Sequence, residues 1–61
     1  MKFEDTDKQY VVCGGSNRVE FDSYEEAIAY AMGIVYDFHQ ASRAVVYKRV
    51  SSKNFVEIAE V

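Results

Sequence analysis

Cysteine and histidine each occur once in the 61 residues, at Cys13 and His39. A single cysteine excludes an internal disulfide. One cysteine and one histidine also fall short of the four ligands of a structural zinc site. Basic residues are outnumbered, with seven Lys and Arg against ten Asp and Glu, for a net charge of −3. That balance argues against a general nucleic-acid binder, which needs Lys and Arg to displace counterions from phosphates. It argues equally against docking on an anionic membrane surface. No apolar run approaches the roughly 20 residues of a membrane span. The opening stretch MKFEDTDKQ is charged and lacks the apolar segment of a signal peptide. With a free thiol, these features lead to the expectation of a complete small reading frame acting in a reducing cytoplasm.

What is present points to a folded domain. Hydrophobic residues make up 49% of the chain and charged residues 28%, too apolar for a disordered segment. The length allows one domain, residues 1–61. A chain of this size buries only about 60% of the surface it exposes when unfolded. Such folds often gain stability from a disulfide, a metal or oligomerisation. With the first two excluded, self-association or a protein partner is left.

The pattern along the chain predicts ββαββ. Residues 1–8, MKFEDTDK, form a loose lead. QYVVC at 9–13 is β-branched and aromatic, RVEF at 18–21 alternates, and GGSN at 14–17 between them reads as a loop of about four residues, its two glycines supplying positive φ. A helix follows from about Tyr24 to His39. Ser23 is its N-cap, with Glu26 three residues on in the capping-box position. Asp22, Glu25 and Glu26 place negative charge at the positive end of the helix dipole. SRAVVYKRV at 42–50 and FVEIAEV at 55–61 are strands around an SSKN turn. The natural packing is a four-stranded antiparallel sheet with one helix on one face, an α+β two-layer sandwich.

The helix has more apolar surface than one contact can absorb. AIAYAMGIVYDFHQ, residues 27–40, contains no proline and one charged residue, Asp37. At 100° per residue, Tyr24, Ala27, Ile28, Ala31, Ile34, Val35 and Phe38 form the face that packs on the sheet. Ala29, Met32, Gly33 and Tyr36 fall outside it. Ala29 and Gly33, four apart, make a shallow groove, with Met32 and Tyr36 as its adaptable wall. Gly33 costs about 1 kcal/mol relative to Ala in mid-helix, a penalty that close approach of another chain would explain. A contiguous exposed apolar strip on a small chain marks an interaction site. The strip is therefore the candidate interface for a homodimer or another protein; the plainer reading is that Gly33 is tolerated and Met32 and Tyr36 edge the core.

The sheet divides in the same way. Ala44, Val46, Val50, Val56 and Ile58 are assigned to the helix side, and Arg43, Tyr47, Arg49, Phe55 and Glu57 to the open side. The register of the first strand is not fixed by the pattern. Arg43, Tyr47, Arg49 and Phe55 make a second candidate interface. Aromatics with arginines can stack bases and also compose protein hot spots, while pairing of Tyr47 with Phe55 and of Arg with Glu is the purely structural reading.

No catalytic, cofactor or metal residue is assigned. Cys13 lacks a base or cationic neighbour in sequence and reads as a small buried thiol in the core or at the strand end. His39 reads as a surface residue near the helix C-terminus. Gly14-Gly15-Ser16-Asn17 leads into a strand and lacks phosphate-loop spacing. Glu20, Asp22, Glu25 and Glu26 are explained by capping and solvation.

A compact acidic chain with this ββαββ order, the FDSYEEA helix start and the AVVYKRV strand resembles the small proteins that phages encode to modulate their hosts, anti-CRISPR and other anti-defence proteins among them. The resemblance implies binding and blocking without catalysis, in the cytoplasm of a bacterial or phage-infected cell. An acidic surface would suit a basic target such as a nucleic-acid-binding enzyme. The alternatives are a housekeeping bacterial interaction module and a nucleic-acid or small-ligand binder using the open sheet face.

Overall fold

The computed structural model describes residues 8–61. The loose lead expected at residues 1–8 lies, apart from Lys8, outside the described residues. The elements run β1 (Tyr10–Gly14), β2 (Asn17–Phe21), α1 (Tyr24–Met32), a π-helical turn (Gly33–Asp37), β3 (Val45–Arg49) and β4 (Phe55–Glu60). The strands form one antiparallel sheet in the order β2-β1-β3-β4. The fold is the expected α+β ββαββ sheet with a single helix.

The first hairpin is tighter than its GGSN sequence implies. Gly14 pairs with Asn17, which leaves Gly15 and Ser16 as a two-residue turn. Gly15 has φ 59 and Ser16 is not in the positive-φ region, the sign pattern of a type II′ turn. Gly14 serves another purpose. A Cβ there would lie 2.7 Å from Ile34 Cδ1, 3.1 Å from the Ala44 Cβ and 3.2 Å from the Arg43 carbonyl oxygen. Its missing side chain lets the helix layer seat on the sheet. Only one of the two glycines is needed for positive φ.

The helix begins as the sequence predicts. Ser23 is extended at φ −130, ψ 156, and its Oγ accepts the Glu26 N–H at 3.3 Å. The end differs. From Gly33 the backbone widens into a π-turn, with the Phe38 N–H donating to the Gly33 carbonyl at 2.8 Å, five residues back. His39 then adopts φ 54, and the Gln40 and Ala41 N–H groups both reach the Ile34 carbonyl at 2.7 and 3.2 Å. A wide turn uses more residues per revolution, so the apolar face falls out of step with a 100° wheel. Phe38, expected on the core face, is 68% exposed.

The core between helix and sheet is Val12, Ala27, Ala31, Ile34, Ala44 and Val46. Tyr10, Phe21, Ile28, Tyr30, Val35, Ala59 and Val61 pack around it. Phe21 meets Tyr30 with ring centroids 5.2 Å apart, and Tyr10 meets Tyr24 edge-on at 6.1 Å. Tyr10 therefore belongs to the helix side and Val11 to the open side, which settles the register of the first strand.

Three residues assigned to the helix side are not covered. Val50, Val56 and Ile58 are all exposed. The helix packs chiefly over β1, with β2 and β3 under its flanks. A helix about 10 Å wide cannot cover four strands spaced about 4.8 Å apart. The outer strand thus stays largely bare on that side. Val50 lies beyond the end of β3, and Ile58 is the extra residue of a bulge, because Val46 pairs with Ala59 while Tyr47 pairs with Glu57.

Candidate functional site

The helix strip is at the surface. Ala29, Met32 and Tyr36 are exposed, Tyr36 to 62%, and Gly33 is half-buried. The four residues fall in two places. Ala29 and Gly33 come into line with Asp37 and border a hollow of ≈ 320 Å³, completed by Tyr30, Ile34, Phe38 and Gln40. A Cβ on Gly33 would sit 3.7 Å from Phe38 Cε2, so the wall beside the small residues is the Phe38 ring. The lining includes neither Met32 nor Tyr36, which the sequence placed there. Those two follow each other one turn apart on the neighbouring ridge. Near Gln40 the hollow is fastened to the first hairpin, where Asn17 Nδ2 donates to Gln40 Oε1 at 3.2 Å. Phe38 was missed as a surface residue because its spacing from Ala31 and Ile34 is that of an α-helical core position.

On the open face, Val11, Cys13, Arg18, Tyr47 and Phe55 line a second hollow of ≈ 220 Å³. Val11 is buried there although the helix lies on the opposite side, so this face has a small apolar centre of its own. Tyr47 and Phe55 are not directly opposed: Glu57 faces Tyr47 and Arg49 faces Phe55. The bulge shifts the pairing and makes the aromatics diagonal neighbours around the hollow.

The arginines of this face are already engaged. Arg49 donates from Nε to the Lys8 carbonyl at 3.0 Å and from Nη1 to the Ser52 carbonyl at 2.8 Å. Its guanidinium also lies 4.7 Å from the Phe55 ring centre. Arg43 Nη2 meets Glu60 Oε2 at 2.7 Å, and Arg18 Nη1 meets Glu20 Oε2 at 3.1 Å. Arg49 acts as a strut that ties the start of the described chain to the β3–β4 turn.

Cys13 is half-buried on the open face, directly across from Arg18. The thiol expected in the core or at a strand end is thus next to the end of β1 but outside the helix-side core. His39 is exposed beyond the helix. Among the described residues, no group of three or more His, Cys, Asp and Glu side chains could hold a metal ion, and no helix is long and apolar enough to cross a membrane. Compared with protein-family models, curated proteins and solved structures, the chain matches none.

Proposed function

We propose that the protein is a non-catalytic binding module that recognises another protein and self-associates through the helix strip. In its most concrete form it is a phage or mobile-element protein that inhibits or modulates a host machine, in the cytoplasm of the host. The observation that carries the binding reading is the set of large apolar side chains left in solvent along the helix: Met32, Tyr36 and Phe38, beside the hollow over Ala29 and Gly33. Phe38 both projects into solvent and borders that hollow, a knob beside a hole of the kind a two-fold interface between identical chains uses. Size and acidic charge support the inhibitor reading, since a carboxylate-rich surface steers toward a basic target.

Sedimentation of the wild type against Gly33→Leu tests self-association. The wild type should form dimers at micromolar concentration, and the leucine, which fills the hollow, should return it to monomer. A wild type that stays monomeric at high micromolar concentration removes the dimer. Capture from bacterial lysate, followed by assay of the captured enzyme with and without this protein, tests inhibition. An unchanged activity favours the housekeeping module.

The open sheet face supports nucleic-acid binding less well. Arg18, Arg43 and Arg49 are all committed within the chain, and the net charge is −3. Salt-sensitive retention of a random oligonucleotide would reverse that preference.

A further inference from the structure

We propose that β4 accepts an extended segment of a partner protein as a fifth strand, and that the segment alternates apolar residues with Lys or Arg. This rests on the protein-binding reading above but uses a surface separate from the helix strip.

Among the described residues, β4 is an edge, bonded to β3 on one side only, so half of its backbone donors and acceptors point outward. Their direction is fixed at one end. Ala44 and Val61 exchange N–H to carbonyl bonds of 3.0 and 2.8 Å. Alternation then turns the N–H and carbonyl of Glu60 away from β3. Along the strand, Val56 and the bulged Ile58 are 46% and 42% exposed. Glu57 and Glu60 are exposed as well, and residues 55–61 contain no Lys or Arg.

The opposite edge is built differently. Val19 and Phe21 of β2 are half-buried, Phe21 against Tyr30 of the helix, and Arg18 and Glu20 neutralise each other. A second β4 is a poor occupant, because it would gather Glu57 and Glu60 from both chains, with Arg43 already spent on Glu60. A segment with Lys or Arg at alternate positions answers Glu57, which has no ion pair among the described residues, while its apolar residues cover Val56 and Ile58. Main-chain bonds then supply affinity and the alternating side chains supply selectivity. The bulge at Ile58 increases the local twist and guards the edge against indiscriminate stacking.

The test titrates the full chain with a capped octapeptide of alternating valine and lysine, with a valine–glutamate octapeptide as control. Two-dimensional NMR and amide exchange give the readout. The lysine peptide should shift β4 resonances and slow exchange at the Glu60 amide by about tenfold or more. The glutamate peptide should do neither. Glu57→Lys, an exposed change that leaves the sheet intact, should weaken the lysine peptide by about tenfold. Equal response to both peptides, shifts at Ala29 and Gly33 in place of β4, or no response at millimolar peptide would each overturn strand addition. None of these results touches the dimer and lysate tests, so failure here leaves the broader binding reading to stand or fall on its own data.

Discussion

Replacing Gly33 by alanine should make the free protein more stable and its self-association weaker. Gly33 has φ −61 and ψ −46, which any residue adopts. A Cβ built there meets only Phe38, at 3.7 Å from Cε2 and 3.9 Å from Cδ2, both ordinary contacts. Alanine therefore introduces no clash, and it recovers the helical preference that glycine forfeits, about 1 kcal/mol. For a domain of this size that corresponds to a rise in Tm of about 4–8 °C, readable by circular dichroism at a concentration low enough to keep the chain monomeric. The same methyl group occupies the floor of the hollow between Ala29 and Phe38. If another chain seats there, the dissociation constant from sedimentation should rise while Tm rises. A lower Tm would refute the packing argument, because it would mean that the backbone or Phe38 cannot accept a methyl group at this site. A higher Tm with unchanged association would refute the assignment of Gly33 to the interface.

Gly14→Ala should act in the opposite sense. Its Cβ is opposed by the buried Ile34, by the Ala44 Cβ and by a carbonyl oxygen, and a loss of about 1–3 kcal/mol in urea unfolding is expected. Ser23→Ala removes the acceptor for the Glu26 N–H and should cost about 1 kcal/mol. Phe38→Ser alters a side chain that is mostly in solvent; it should change stability by only about 0.5 kcal/mol while weakening self-association in the sedimentation assay.

Much of this fold was legible because local signals agreed with one another. The alternation in RVEF and FVEIAEV, the Ser23 cap and the i, i+3, i+4 spacing of Ala27, Ala31 and Ile34 all favour the same ββαββ arrangement, and the structure follows it. The errors arose where a third dimension enters. Gly14 looked like a turn glycine, but its reason is the proximity of Ile34, a contact 20 residues away in sequence. Phe38 has core spacing only on a regular helix, and the one-residue excess of the π-turn has no composition signal. Val56 and Ile58 alternate correctly for a half-buried strand, yet β4 lies at the edge of what the helix covers. Strand order across the sheet decides that, and alternation within a strand does not encode it. The candidate strip was legible as a set of surplus apolar residues; its division into a ridge and a hollow was not.

The surplus has a physical origin in the core itself. Of the six residues that form the buried cluster, three are alanines, and Ile34 is the largest helix side chain among them. Small side chains at the contact bring the helix close to the sheet, and Gly14 lets it come closer still at one end. Close approach gives dense packing but leaves no space at the centre for large residues. Tyr24, Met32, Tyr36 and Phe38 are thereby displaced to the flanks and outer side of the helix layer, and Val56 and Ile58 lie beyond its reach. Apolar area removed from water stabilises by roughly 25 cal/mol per Å² wherever the covering surface comes from. The aromatics divide accordingly: Tyr10, Phe21 and Tyr30 pack around the small core, while Tyr24, Tyr36 and Phe38 stay in solvent, so a neighbouring chain that covered those three would add stabilisation this core does not supply.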